Sequence, residues 1–174
     1  MSDLMPDLWA DSVYDIDYAA LHRNGIRFLF FDIDNTMALY SEERPSEKLL
    51  ALLHKLKQMG FRSAILSNGK SDRVARFAEI LGAEFECSAL KPFQSGFRRL
   101  SEKLHAEKPG EIAMIGDQLF TDIKGGNRFG CCTVLVMPID LADDPPFVRF
   151  KRFFEKGIVK TIRRKGNGCK TKEE

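Results

Sequence analysis

The chain has 174 residues, of which 44% are hydrophobic and 30% are charged. This length accommodates one globular domain with a substantial core, and the composition excludes fibrous and disordered classes of protein. The net charge of +2 conceals an asymmetry, because residues 149–174 carry a balance of +7 and the rest of the chain a balance of −5. The basic end suggests a polyanionic surface as partner.

The predicted elements alternate between strand and helix from residue 26 to residue 136. Short apolar runs bounded by turn residues predict buried strands, and leucines at helical spacing between Pro45 and Gly60 predict a helix. Residues 1–25 are predicted to form a lead-in helix or loop. The predicted strands span 26–33, 61–67, 84–88, 112–115 and 133–136, and the predicted helices span 45–59, 71–81, 93–105 and about 119–129.

This alternation predicts βαβ units and right-handed crossovers. The expected fold class is α/β, with a single Rossmann-like, doubly wound, mostly parallel sheet, helices on both faces and no cap domain. We expect the domain to occupy residues 1–140 with its core at about 26–136, followed by a linker and a basic amphipathic tail over 141–174. The prolines and aspartates of 138–146 favour the linker, since they disfavour both helix and strand.

The sequence lacks the patterns of a secreted or membrane-spanning protein. No apolar run approaches the ~18 residues that a membrane span needs, and the acidic N-terminus lacks a signal pattern. The cysteines show no CxxC spacing, so we expect neither a disulfide framework nor a zinc site; they are Cys87, Cys131, Cys132 and Cys169. A reducing cytoplasmic location is therefore the expectation.

Polar residues follow four of the predicted strands at the point where each strand ends. In parallel sheets these carboxyl ends line one crevice, where ligands collect. Each motif alone is weak, since a second DxD at Asp15–Asp17 follows no strand, but their conjunction indicates a site. The motifs are Asp32-Ile33-Asp34-Asn35-Thr36, Ser67-Asn68-Gly69, Lys91-Pro92 and Gly116-Asp117 with Asp122.

These residue types together suit attack of a carboxylate on a phosphate monoester. The dianionic phosphate requires positive charge, which Mg²⁺ held by Asp32 and Asp117 can supply and Lys91 can supplement. The Ser67 hydroxyl and loop N–H groups can bind phosphoryl oxygens. Asp34, two residues beyond the nucleophile, is placed to protonate the leaving group.

The strings FLFFDIDNT, ILSN, KP and IGDQLFTDI resemble the four motifs of the haloacid dehalogenase (HAD) superfamily. The DxDNT variant and the opening YDIDYAALHRNGI are similar to the YqeG-like branch of its subfamily IIIA. The resemblance implies Asp32 as the nucleophile that forms an aspartyl-phosphate and Asp34 as general acid, then base. It implies Mg²⁺ at Asp32, the Asp34 backbone carbonyl and Asp117, with Asp122 nearby, and phosphoryl binding by Thr36, Ser67, Asn68 and Lys91.

The substrate is expected to be bulky, because the chain has no room for a cap domain. Eight residues separate Thr36 from Pro45, and one predicted helix lies between Lys91 and Asp117. Without a lid, small metabolites would be poorly enclosed. Related capless phosphatases act on phosphatidylglycerophosphate, so the resemblance implies a phosphorylated lipid of this kind.

Residues 147–165 predict a basic amphipathic helix. At 100° per residue, one face collects Phe147, Phe150, Phe154, Ile158 and Ile162, and the opposite face collects Arg149, Arg152, Lys156, Lys160 and Arg163. Such a helix can lie on the inner face of an anionic membrane. Alternatively, it can pack its Phe face on the domain and leave its charges in solvent. Nucleic acid is not an expected partner, because no binding motif is present.

Other functions remain open at this point. A DxD glycosyltransferase would leave Ser67, Lys91 and Asp117 unexplained. A phosphorylatable receiver domain places its acidic pair on the first strand and its phosphoacceptor on a later one. The order here argues against a receiver, because the DxD motif opens the sheet and the second acidic motif follows the lysine. A scaffold without turnover is disfavoured by the intact Asp34. Phosphatases of another substrate class, namely nucleotides, sugar phosphates or phosphoproteins, remain alternatives.

Overall fold

Six parallel strands form one open sheet in the computed structural model, which describes residues 2–69 and 71–165. Their spatial order is β1-β6-β5-β2-β3-β4, and every neighbouring pair is parallel. The sheet confirms the predicted α/β, Rossmann-like architecture. The strands are β1 (Leu8–Ala10), β2 (Phe28–Phe31), β3 (Arg62–Leu66), β4 (Glu84–Glu86), β5 (Ile112–Gly116) and β6 (Cys132–Val136).

Residues at the two ends of α2 (Glu47–Gln58) explain where this helix begins and ends. The Ser46 side chain accepts a hydrogen bond of 3.2 Å from the Leu49 N–H at the first turn of α2. Gly60 follows this helix at a φ of 91°, a conformation that L side chains rarely adopt. The helices are α1 (Tyr18–Arg23), α2 (Glu47–Gln58), α3 (Ser71–Leu81), α4 (Ser95–Leu104), α5 (Lys124–Phe129) and α6 (Pro146–Lys165).

Apolar clusters cover both faces of the sheet. Leu29 and Phe31 of β2 pack in one cluster with residues of α1 and α2, whereas Phe30 packs on the other face with Phe97 and Leu100 of α4. The alternation of β2 side chains between the two clusters explains why this strand is apolar throughout. It lies at the centre of the fold and carries its polar residues only beyond its last position.

Two local features differ from the predicted elements. Residues 8–10, expected in a lead-in helix or loop, form the edge strand β1, which pairs with β6; three residues are too few to show a strand period. The predicted helix near 119–129 is a π-helical turn, Leu119–Ile123, followed by α5. There the Ile123 N–H bonds to the Gln118 carbonyl, five residues earlier, at 3.3 Å.

The last helix packs on the domain through a face that only partly overlaps the predicted Phe face. Val148 and Ile162 are buried, and Ile162, which was predicted on the Phe face, joins a cluster with Leu119 and Leu135. Phe147, Phe150, Phe153 and Phe154 are 56–70% exposed, so the expectation that the phenylalanines pack on the domain is wrong. None of the helices in the described residues is long and apolar enough to cross a bilayer.

Candidate active site

The predicted site residues converge at the carboxyl ends of β2, β3 and β5. The chain builds β3 and β4 on one side of β2, and β5 and β6 on the other. Strand order therefore reverses between β2 and β5, which is where open α/β sheets bind ligands. Asp32 and Asp34 follow β2, and Asp117 follows β5.

Three carboxylates form a buried cluster at this point. One oxygen from each of Asp32, Asp117 and Asp122 lies within 4.8 Å of the others. Gly116 makes the cluster possible, since a Cβ at this position would lie 2.4 Å from the Asp122 carboxyl group. The side chain of Asp34 is outside this cluster; the family resemblance implies that its backbone carbonyl, rather than its carboxylate, would bind the cation.

Lys91 neutralises part of this negative charge. Its Nζ lies 2.8 Å from Asp32 Oδ1 and 2.6 Å from Asp122 Oδ1, and all three side chains are buried. Burial alone would lower the pKa of Lys91, but the Asp122 and Asp32 carboxylates raise it above its ordinary value. Lys91 is therefore a fixed cation at the site.

The side chain of Asn68 holds the backbone of Lys91. Asn68 Nδ2 donates to the Lys91 carbonyl at 3.1 Å, and the Lys91 N–H donates to Asn68 Oδ1 at 2.8 Å. The buried Ser67 Oγ accepts from the Gly69 N–H at 2.9 Å. Both residues thus shape the loop after β3. This loop lies next to the carboxylates, and both residues were predicted to bind phosphoryl oxygens there.

Two members of the acidic cluster, Asp117 and Asp32, have different partners. Thr36, predicted to bind phosphoryl oxygens, donates its hydroxyl to Asp117 Oδ1 at 3.0 Å. Burial raises the pKa of Asp117 to about 6, although Arg152 opposes that effect. Burial also raises the pKa of Asp32 well above its ordinary value, against the lowering effect of Lys91. A bound cation would favour the ionised form of both groups.

Asp34 lies beside a basic residue that the sequence analysis did not identify. Arg73 of α3 forms an ion pair with Asp34 Oδ1 and donates to the backbone carbonyls of Leu39 at 2.7 Å and Glu42 at 3.0 Å. Burial raises the pKa of Asp34 above its ordinary value, and Arg73 limits the rise. A raised pKa suits a group that must donate a proton near neutral pH.

Arg152 of α6 reaches the same cluster from the far end of the chain. It forms ion pairs with Asp117 Oδ2 and with the buried Asp144, whose Oδ1 accepts a 2.7 Å hydrogen bond from Asn35 Nδ2. Arg152 was predicted on the basic face of the tail helix, in solvent or on an anionic membrane, and its burial corrects that expectation. Hydrophobic periodicity could not reveal it, because the buried face of α6 includes the charged residues Arg152 and Glu155.

The site opens to solvent through a cleft of about 150 Å³. Asp32, Asp34 and Lys91 line its inner part, and Phe147 and Lys151 of α6 lie at its wall. The cleft is smaller than the roughly 300–1,000 Å³ typical of small-molecule pockets. It can hold a phosphoryl group and its nearest atoms, and the remainder of a larger substrate would lie outside.

The buried carboxylates fit a divalent cation. Asp32, Asp117 and Asp122 offer only oxygen atoms, and no histidine or cysteine joins this group among the described residues. Hard oxygen ligands suit Mg²⁺ better than they suit zinc or copper. The cluster is also next to Lys91 and the cleft, so a cation there would lie where a phosphoryl group can enter.

Sequence comparisons agree with this geometry. The family model for haloacid dehalogenase-like hydrolases matches residues 8–130. The chain is 32% identical to the probable phosphatase YqeG of Bacillus subtilis, over 94% of both chains. It is also 32% identical to phosphatidylglycerophosphate phosphatase 1, chloroplastic/mitochondrial, of Arabidopsis thaliana, over 94% of this chain and 49% of that protein.

Solved structures show the same fold. The cobalt-bound deoxy-D-mannose-octulosonate 8-phosphate phosphatase of Haemophilus influenzae matches with a TM-score of 0.52 and 20% identity, over 74% of this chain and 75% of that chain. An uncharacterized protein from Listeria monocytogenes serotype 4b matches with the same TM-score and identity, over 74% of this chain and 99% of that chain.

Proposed function

The chain belongs to the haloacid dehalogenase-like hydrolases and is a phosphatase, and we propose that it hydrolyses a phosphomonoester through an aspartyl-phosphate on Asp32. In this proposal Asp34 is the general acid and base, Thr36, Ser67, Asn68 and Lys91 surround the phosphoryl group, and Mg²⁺ is the cofactor. The observation that carries the proposal is the buried group of Asp32, Asp117 and Asp122 with Lys91 in ion-pair contact.

In the first step, an Asp32 carboxylate oxygen attacks phosphorus and forms an acyl-phosphate bond. The bond between phosphorus and the leaving-group oxygen breaks, and Asp34 gives its proton to that oxygen. Mg²⁺ at Asp32, the Asp34 carbonyl, Asp117 and Asp122 would neutralise phosphoryl charge. Lys91 adds a fixed positive charge 2.8 Å from the nucleophile, and both side chains are buried, which strengthens their electrostatic effect.

In the second step, Asp34 removes a proton from water, and the water oxygen attacks the phosphorus of the intermediate. The acyl-phosphate bond breaks, phosphate leaves, and the Asp32 carboxylate is restored. Arg73 fixes the Asp34 carboxylate on the cleft side of the loop after β2, since it is itself held by two backbone carbonyls. Asp34 can then serve both steps without moving far.

We propose phosphatidylglycerophosphate as the substrate class. The small cleft accepts a terminal phosphoryl group and leaves a lipid body outside. The name of the Arabidopsis thaliana relative, a phosphatidylglycerophosphate phosphatase, supports this choice. Nucleotides, sugar phosphates and phosphoproteins are the competing substrates.

A metal-dependence assay tests the proposed chemistry. EDTA should abolish release of phosphate from an aryl phosphate, and added Mg²⁺ should restore it, because a dianion cannot approach the acidic cluster unaided. Asp117→Ala should raise the Mg²⁺ concentration required for half-maximal rate by about tenfold or more, as loss of a ligand removes a direct bond. Full activity in excess chelator would contradict the proposal.

The same protein should then be assayed against a substrate panel. We expect kcat/KM for detergent-dispersed phosphatidylglycerophosphate to exceed that for nucleotides, sugar phosphates and a phosphopeptide by at least about tenfold, which corresponds to roughly 1.4 kcal/mol. A preference for one of the soluble substrates would reject the lipid while leaving the aspartyl-phosphate chemistry in place.

We also propose that α6 makes peripheral contact with an anionic membrane on its cytoplasmic face. Four exposed phenylalanines project from the side of α6 that faces away from the core: Phe147, Phe150, Phe153 and Phe154. Arg149 and Lys156, next to them on the helix, are exposed. Phe147 also lines the cleft, so a membrane at this surface would lie beside the catalytic opening.

The double variant Phe150→Ser/Phe153→Ser tests this contact. It should weaken binding to phosphatidylglycerol-containing vesicles by about tenfold or more, because a buried Phe contributes about 1.5–3 kcal/mol. Vesicle co-sedimentation measures the loss, and hydrolysis of a soluble aryl phosphate should stay unchanged. The control is Ile80→Ser, which removes an exposed apolar side chain from α3. Equal vesicle binding by all three proteins would refute the contact.

A further inference from the structure

A second opening lies behind the acidic cluster, between α6 and the segment that follows β6. This groove has a volume of about 430 Å³, within the range typical of small-molecule sites. Its apolar walls come from Leu135, Met137 and Leu141 on one side and Val159 of α6 on the other. The volume is nearly three times that of the catalytic cleft, and Asp117 is the one lining residue that the proposed reaction uses.

The charged side chains at the floor of the groove already have partners within the protein. Arg152 is ion-paired with Asp117 and Asp144, and Glu155 Oε1 accepts the Phe120 N–H at 3.0 Å. A ligand with many polar atoms, such as a nucleotide, would bury them here without partners. An aliphatic chain would lose no hydrogen bonds on entering the groove, because it has no polar atoms.

The rim of the groove is basic. Lys156, Lys160 and Arg164 are exposed and follow one another at intervals of four residues, which places them along one row of α6. Within the residues that the structure describes, none of the three has a carboxylate at ion-pair distance. The row can therefore receive an anionic group.

We propose that this groove binds the acyl chain of a single-chain anionic lipid, with the headgroup at Lys156, Lys160 and Arg164. The apolar walls fit the chain, and the charge of the rim is complementary to the head. The groove and the catalytic cleft share no lining residue, and they meet the acidic cluster from different sides: Asp117 lines the groove, whereas Asp32 and Asp34 line the cleft.

Trp9 provides a reporter next to the groove. It is the one tryptophan of the chain and packs in a cluster with Met137 and Val159, which line the groove wall. Stearic acid with a nitroxide on its chain, used as monomer with the full-length protein, should quench Trp9 fluorescence saturably. Unlabelled fatty acids should displace it, with affinity falling about tenfold for each two methylenes removed, because each buried methylene contributes a similar increment.

Variants distinguish binding at the basic rim from nonspecific binding of the probe. Lys156→Glu/Lys160→Glu should weaken binding of the probe by about tenfold or more. The matched exposed pair Lys55→Glu/Lys57→Glu on α2 should leave binding of the probe unchanged. The methyl ester of the probe should bind more weakly than the acid. Leu141→Glu, at an exposed position of the wall, should also weaken binding.

Four results would overturn the proposal. Quenching that does not saturate, or that is equal for acid and ester, would show nonspecific partitioning. Affinity independent of chain length would show an anion site without an acyl groove. Exclusion of the probe by a protein dimer, detected by sedimentation, would assign the groove to a second copy. Unchanged quenching in Phe150→Ser/Phe153→Ser would support a groove separate from the exposed Phe surface, and loss of quenching there would count against it.

Discussion

Asp32→Asn should lower kcat for an aryl phosphate by about 10⁴-fold or more. An amide cannot form the acyl-phosphate bond, and loss of a nucleophile removes a whole covalent pathway, as in other enzymes with covalent intermediates. Lys91 keeps an oxygen partner at position 32, so the fold should tolerate the change. Near-normal turnover in Asp32→Asn, with a melting temperature like that of the parent protein, would reject the mechanism.

Asp34→Asn is the matched comparison, because it makes the same chemical change two residues away. Removal of a general acid and base costs about 10²–10⁴-fold in rate, less than removal of the nucleophile. Asp32 can still be phosphorylated by a substrate with a good leaving group, so the phosphoenzyme should accumulate. Mass spectrometry of the acid-quenched protein should detect the added phosphoryl group in Asp34→Asn and not in Asp32→Asn. The opposite pattern would exchange the two roles.

Arg152→Met should destabilise the protein by about 3–5 kcal/mol. The change leaves Asp117 and Asp144 buried without their cation, and an uncompensated buried charge is the expensive consequence of breaking a buried ion pair. The free energy of unfolding from urea titration measures this loss. Lys156→Met on the same helix is the control, with an expected effect within about 0.5 kcal/mol because Lys156 is exposed.

A partial rescue would separate charge from packing in this test. Adding Asp144→Asn to Arg152→Met removes one of the two orphaned carboxylates, so the double variant should regain part of the lost stability. If Arg152→Met is as stable as the parent protein, Arg152 does not stabilise the fold. In that case the attachment of α6 would depend on its apolar contacts, such as those of Val148 and Ile162, and on the hydrogen bond of Glu155 to Phe120.

Much of the fold could be predicted from the sequence because the central strands are mostly apolar. β2, β3, β5 and β6 are buried by helices on both faces, and such strands give continuous hydrophobic runs. β1 was missed because it has only three residues and depends on pairing with β6. An edge strand of that length is specified by its neighbour rather than by its own pattern.

The placement of Asp32 and Asp117 could be predicted because each follows a strand directly. In the structure they lie together with Lys91 and Asp122, and the roles of these residues stay predictions. Arg73 and Arg152 were missed, since both are helical arginines of a kind that usually lies in solvent. Their burial depends on carboxylates distant along the chain, and no local pattern reports such partners.

The partnership of Asn35 with Asp144 and Arg152 has a consequence for synthesis on the ribosome. Asn35 and Asp144 are 109 residues apart, and Asp117 meets Arg152 across 35 residues. During translation, which proceeds at roughly 5–20 residues per second, the motifs from Asp32 to Asp122 are complete before α6 exists. A nascent chain at that stage holds its acidic cluster without Arg152, so the cluster is fully neutralised only after residue 152 has left the ribosome. Stop codons between 123 and 151 should therefore yield proteins that retain every motif residue and yet fold poorly.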